Sequence, residues 1–132
     1  MIVVDASAVI AFLLREEGWE ALVPYMKQTM SVDHVVKEFY NAVWKATYLT
    51  KTLDRESARS VIKLFNTYLK KNVVLVPEAK HIDEAFNIAL EKGVPIYDAL
   101  YIALAIGERA PLLTLDEEQR STALELGIRV LP

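Results

Sequence analysis

Five short apolar runs, separated by segments of helical periodicity, constrain this chain more than any other feature. They fall at residues 2–4, 30–32, 73–76, 112–115 and 128–130. A strand with one wet face alternates apolar and polar residues, whereas a strand covered on both faces is a near-continuous apolar run, as residues 2–4 and 73–76 are and as the others are but for Ser31, Thr114 and Arg129. Between them the chain reads as helix. Ser7 to Leu14 is closed by Glu16-Glu17-Gly18, and Trp19 to Gln28 is a weaker helix disturbed by Pro24. Val35 to Leu49 carries Val35, Phe39, Ala42, Val43 and Ala46 at helical spacing. Asp54 caps a helix over 54–69 with Ala58, Val61, Ile62, Phe65, Tyr68 and Leu69 on one face, and these two helices read as an αα-hairpin. Val73-Val74-Leu75-Val76 before Pro77 reads as a buried strand. Ile82 to Glu91 is ended by Gly93, Asp98 to Ile106 is almost wholly apolar, and Glu117 to Leu126 is ended by Gly127. Strands that alternate with helices and are near-continuous apolar runs argue for an α/β fold, a three-layer α/β/α sandwich around a central parallel sheet of about five strands.

No repeat, linker or low-complexity segment divides the chain, so residues 1–132 are expected to form one domain. At 53% hydrophobic residues it can bury a core without disulfides or a structural metal. No apolar run is long enough to span a membrane, and Asp5 interrupts any secretory leader, so the protein is expected in the cytoplasm. The absence of Cys excludes thiol catalysis and Cys-based zinc sites, and two lone His residues, His34 and His81, argue against a His-based one. The net charge is −3, yet between Lys45 and Lys71 seven basic residues face two acids, leaving −8 for the remainder. A basic surface near an acidic pocket suits a metal-dependent enzyme acting on a polyanion.

Four carboxylates fall where strands end or the following helices begin: Asp5, Glu38, Asp98 and Asp116. Open parallel sheets gather ligand sites at the carboxyl ends of their strands, so four acids distant in sequence can meet in one pocket suited to a divalent metal. Each also has a plainer explanation. Asp5, Asp98 and Asp116 can cap helices or favour a helix dipole, and Glu38 can sit on a solvated face paired with Lys45. Arg55, Arg59 and Lys63 repeat by four as a phosphate track would, or as a solvated face would. Tyr40, Trp44 and Tyr48 also repeat by four, away from the main apolar stripe. This second face is read first as packing against the neighbouring helix, then as an interface with a second copy or a partner protein, and third as a base-stacking surface.

Placed on this frame, the chain resembles the PIN-domain nucleases, and among them the VapC-like toxins. The matching pieces are Val4-Asp5-Ala6-Ser7-Ala8, Glu38 with Asn41, Tyr97-Asp98-Ala99-Leu100-Tyr101-Ile102-Ala103-Leu104-Ala105, and Leu113-Thr114-Leu115-Asp116. Leu115 stands where the family often has Thr, Asp or Asn. The resemblance implies a Mg²⁺- or Mn²⁺-dependent endoribonuclease, commonly a homodimer and inhibited by a small antitoxin protein. Asp5 and Asp98 would be direct ligands, completed by Glu38 and Asp116, with Ser7, Asn41 and Thr114 supporting the carboxylates or the RNA substrate. Carboxylate-held metal hydrolyses a phosphodiester without a nucleophilic side chain, consistent with the lack of Cys. Two rivals remain: a housekeeping RNA-processing nuclease, which would share the site, and a non-catalytic protein-binding module. A phosphorylated receiver domain lacks its acceptor at the end of strand three, where Pro77 stands, and a haloacid-dehalogenase-like phosphatase would need an acid at Ser7.

Overall fold

The computed structural model describes every residue from Met1 to Pro132. Five strands, β1 (Ile2–Val4), β2 (Thr29–Val32), β3 (Val73–Val76), β4 (Leu112–Leu113) and β5 (Val130–Leu131), form one sheet in the order β3-β2-β1-β4-β5. Every pairing is parallel. The helices are α1 (Ala6–Leu14), α2 (His34–Trp44), α3 (Arg55–Asn72), α4 (Ile82–Lys92), α5 (Ile96–Glu108) and α6 (Glu117–Glu125). From β1 the chain passes outward through β2 to β3, then returns across β1 to β4. The order therefore reverses between β1 and β4, where doubly wound sheets open a crevice at their carboxyl edge.

Local signals explain most element ends. Asp5, Asp54 and Asp116 accept the backbone N–H of Ala8, Ser57 and Gln119 at 3.0, 2.7 and 2.9 Å, starting α1, α3 and α6. Gly93, at φ +68°, takes the left-handed turn that stops α4. The apolar helix α5 packs across β1, β2 and β4, with every residue from Ala99 to Ala105 buried. α4 lies against α5, while α1 packs on α2 and α3, whose rings Phe39 and Phe65 stack at 4.0 Å. No helix is long and apolar enough to cross a membrane.

Four expectations need correction. The segment after Gly18 is a 3₁₀ helix over Trp19–Tyr25 rather than an α-helix to Gln28, since Pro24 has no N–H for a regular ladder. The first hairpin helix is regular only to Trp44, then widens into a π turn over Lys45–Leu49 in which the Thr50 N–H reaches back to the Lys45 carbonyl. β3 is not buried: it pairs only with β2, and Val74 and Leu75, on opposite faces, are 48% and 38% exposed. An apolar run does not by itself distinguish a central strand from an edge. The fifth strand comes a residue or two later than its apolar run, at Val130–Leu131.

Candidate active site

Asp5 and Thr114 lie at the carboxyl ends of adjacent strands, β1 and β4, at the point where the strand order reverses. The Thr114 hydroxyl donates to Asp5 Oδ2 at 2.5 Å, and the Ser7 hydroxyl donates to Oδ1 at 2.6 Å. Each hydroxyl also accepts a backbone N–H, Thr114 from Asp116 and Ser7 from Leu115, both at 3.0 Å. Two hydroxyls thereby fix the aspartate and sew the β1 edge to the loop after β4. Asp5 is only 4% exposed. Burial pushes its carboxyl up to about 6; the hydrogen bonds partly offset this and the Asp116 charge adds to it.

The other acids approach from three further elements. Glu38 lies on α2, where its Oε1 accepts the Tyr101 hydroxyl of α5 at 2.6 Å and lies 3.4 Å from His34 Nε2. Burial, then the Asp98 charge, raises the Glu38 carboxyl against that hydrogen bond. Tyr101 is itself raised, by burial and then by Glu38, so it remains a phenol and acts as donor. Asp98 sits within the first turn of α5, which begins after Pro95, so Asp98 is not that helix's cap. Its carboxyl is raised by burial, then by Asp116 and Glu118. Asp116 caps α6 and is exposed.

These effects link the acids in a chain: Asp5 with Asp116, Asp116 with Asp98, and Asp98 with Glu38. No Lys or Arg makes an ion pair with any of the four. The imidazole beside Glu38 does not neutralise it either, because burial lowers the His34 pKa. The fold therefore brings together uncompensated negative charge, which the plain capping reading does not require. Capping is nonetheless present at Asp5 and Asp116. Glu38 pairs with Tyr101 and His34 rather than with Lys45.

As they stand, no three carboxyl or imidazole groups converge tightly enough to chelate one ion. Both Asp5 oxygens are tied to hydroxyls, Glu38 is held by Tyr101, and Asp116 is turned toward its cap. The donor type nevertheless fits a hard cation, since all four are carboxylate oxygens. Beside them Gln119 donates from Nε2 to the Asp98 carbonyl at 3.1 Å, and its buried Oε1 has no partner. An orphaned acceptor beside Asp98 and Asp116 is where a metal-bound water would find a hydrogen bond.

A cleft of about 530 Å³ opens over Glu38 and Asp98, lined also by His34, Lys37, Asn41 and Tyr97. The Tyr97 ring stacks on His34 at 5.0 Å, and Lys37 pairs with Glu78 at 3.7 Å. Sequence reasoning had not singled out His34, Lys37, Tyr97, Tyr101 and Gln119. The signal for two of them was present, His34 one turn before Glu38 and Tyr101 one turn after Asp98 on an otherwise apolar helix. Arg55, Arg59 and Lys63 do not line this cleft. They border two grooves on the α2–α3 hairpin, one of them shared with Tyr40 and the other with Trp44 and Tyr48. Tyr40 packs edge-on against Phe65 at 6.2 Å as a hairpin contact, whereas Trp44 and Tyr48 are exposed and stack on each other.

A family model described as the PIN domain matches residues 2–125. The chain is 32% identical over 120 residues to ribonuclease VapC3 of Pyrobaculum aerophilum, covering 89% of this chain and 90% of that protein. It is 27% identical over 115 residues to exonuclease VapC9 of the same organism, covering 87% and 80%. A crystal structure of a Pyrobaculum aerophilum protein superposes with a TM-score of 0.73 at 25% identity, covering 98% of this chain and 82% of that one.

Proposed function

Since this chain belongs to the PIN-domain family, we propose that it is a metal-dependent endoribonuclease, the toxin of a toxin–antitoxin pair that acts on RNA in the cytoplasm. One observation carries the reading: beside the point where the strand order reverses, carboxylates from four separate elements act on one another in a chain, Asp5 with Asp116, Asp116 with Asp98 and Asp98 with Glu38, and none is paired with a Lys or Arg. Asp5 and Asp98 would ligate Mg²⁺ or Mn²⁺, with Glu38 and Asp116 completing the shell directly or through water. Such an ion, when bound, activates water and neutralises charge developing on the phosphate. The chain's own residues orient and hold. Ser7 and Thr114 fix the Asp5 oxygens, Tyr101 fixes Glu38, and Asn41 and Lys37 offer an amide and an ammonium to substrate in the cleft. Arg55, Arg59 and Lys63 supply phosphate contacts beyond it.

The test is cleavage of a mixed RNA substrate, with a circular RNA included to separate internal cutting from trimming of ends. Cleavage of both is expected with Mg²⁺ or Mn²⁺ and is lost in chelator or in Asp5→Asn. Cutting that persists in chelator contradicts the metal reading, and trimming of linear RNA alone makes the enzyme an exonuclease. A housekeeping nuclease would share this chemistry but would not arrest growth on induction, nor be silenced by the product of an adjacent antitoxin gene. A binding module would leave all RNA intact. The expected homodimer has a surface to form on: Ile82, Phe86 and Leu90, one turn apart on α4, are 37%, 53% and 69% exposed. Phe86→Glu should convert a dimer to monomer on size-exclusion chromatography.

A further inference from the structure

The hairpin carries a feature that the proposed chemistry does not use. Trp44, at the end of α2, and Tyr48, in the π turn that follows, stack at 5.6 Å with their planes 13° apart, although they are 49% and 64% exposed. The Lys51 ammonium lies 5.8 Å from the Tyr48 ring, so cation, phenol and indole form a short file. Tyr48 covers Trp44 from the C-terminal side of the helix. About half of Trp44 is left exposed, so surface remains for a further planar group. Glu38 lies six positions earlier on the same helix, about 9 Å along the axis and on a different face.

Cations surround the file. Lys51, Arg55 and Arg59 border the same groove, of about 680 Å³, and Arg59 continues into a second groove with Lys63. None of these four residues makes an ion pair with a carboxylate. Of the two acids that line these grooves, Asp54 is occupied in capping α3 and Glu56 borders the second groove. Unpaired cations flanking parallel aromatic rings match a chain of phosphates with unpaired bases, which needs positive charge along the backbone and flat faces beside it. An apolar protein partner would match the rings but would leave four cations to be desolvated without partners.

We propose that Trp44 and Tyr48 form a stacking platform for an unpaired base of a single-stranded RNA whose phosphates run along Lys51, Arg55 and Arg59. A base added to the file is held on the hairpin that shares α2 with Glu38, so the platform grips substrate outside the acid pocket. This rests on the nuclease reading for its purpose but not for its test.

The test uses Trp19→Phe protein, which leaves Trp44 as the single indole, in excess EDTA so that nothing is cut. Titration with short oligouridylate should quench the fluorescence, while an RNA duplex and an abasic ribose-phosphate oligomer of equal length should not. Trp44→Ala with Tyr48→Ala should weaken oligouridylate binding about 5- to 150-fold. The salt slope should stay unchanged, whereas Lys51→Gln with Arg55→Gln should reduce it by about 0.7 per lost contact. Trp44→Phe, which keeps a flat ring, should retain most of the affinity. Absence of quenching, equal quenching by duplex or abasic oligomer, or unchanged affinity in the double alanine variant overturns the platform. If that variant instead turns a dimer into monomer with oligouridylate affinity intact, the rings are a protein contact and the proposal falls. Because EDTA removes cleavage, an inactive protein can pass this test and an active nuclease can fail it.

Discussion

The acid pocket and the α2–α3 hairpin share α2, yet they are built on opposite principles. At the pocket, the acids run from buried Asp5 through half-buried Glu38 and Asp98 to exposed Asp116, hydroxyls hold Asp5 and Glu38, and no Lys or Arg pairs with any of the four. On the hairpin, charge is exposed, of the opposite sign and free of partners. The carboxyl pKa values rise at the pocket because the ionised form is disfavoured there, whereas on the hairpin the exposed Asp54 is lowered by its capping hydrogen bonds. One region stores electrostatic free energy that a divalent cation can release. The other offers a surface that costs the fold little. A substrate that is itself a polyanion needs both, and they must be kept apart so that the cations do not simply neutralise the acids.

Breaking the pocket should have the largest effect. Asp98→Asn, which keeps the side-chain shape, should lower metal-dependent RNA cleavage about 10²- to 10³-fold, measured as initial rates on a labelled RNA. The next effect is a pH dependence of stability in metal-free protein. The Asp5 carboxyl titrates near 6 when folded against 3.8 for a free group, so between those values the folded state binds the extra proton. Stability is therefore greatest below the unfolded value and is lost as pH rises through about 6, with Asp5 alone worth roughly 3 kcal/mol. Urea midpoints in chelator should rise from neutral pH toward about pH 4, and Asp5→Asn should flatten that rise.

Smaller again is Thr114→Val. It removes one of the two hydroxyls on Asp5 and should cut activity about 10- to 100-fold, with a matching loss of metal affinity by calorimetry. Smallest is the hairpin triple Arg55→Gln, Arg59→Gln and Lys63→Gln. It should weaken RNA binding and reduce the salt slope by about 0.7 per contact, leaving the Asp5-dependent pH profile unchanged. A change in that profile would mean that the two regions are electrostatically coupled, and the comparison would fail.

The layered parallel sheet was legible in the sequence because apolar runs and helical periods follow directly from burial on both faces of strands. Capping Asp5, Asp54 and Asp116 marked three helix starts for the same reason. The edge position of β3 was not legible, since Val73-Val74-Leu75-Val76 looks the same whether or not another strand lies beyond it. The 3₁₀ turn after Gly18 was half legible through Pro24. The acids were found from their positions at strand ends, but the partners that tune them were not. Tyr101 looked like one more residue of an apolar helix, and only packing of α5 against α2 turns its hydroxyl onto Glu38. The exposed Trp44–Tyr48 stack depended on a similar unknown: periodicity put the aromatic residues on one face without saying that Tyr40 meets Phe65 of the second helix while Trp44 and Tyr48 meet each other.

We propose that the fold holds Asp5, Glu38, Asp98 and Asp116 close enough to repel one another. Thermal melting of wild type and Asp98→Asn, with and without Mn²⁺, tests it most directly. Asp98 lies in the first turn of α5, where the helix dipole favours its charge, so an isolated residue there should lose stability on neutralisation. Its raised pKa says that burial and the charges of Asp116 and Glu118 outweigh that benefit. The metal-free Asp98→Asn protein should therefore melt above wild type near neutral pH, and Mn²⁺ should raise the wild-type melting temperature more than that of the variant. A variant that melts at or below wild type, with neither protein shifted by Mn²⁺, would contradict the account.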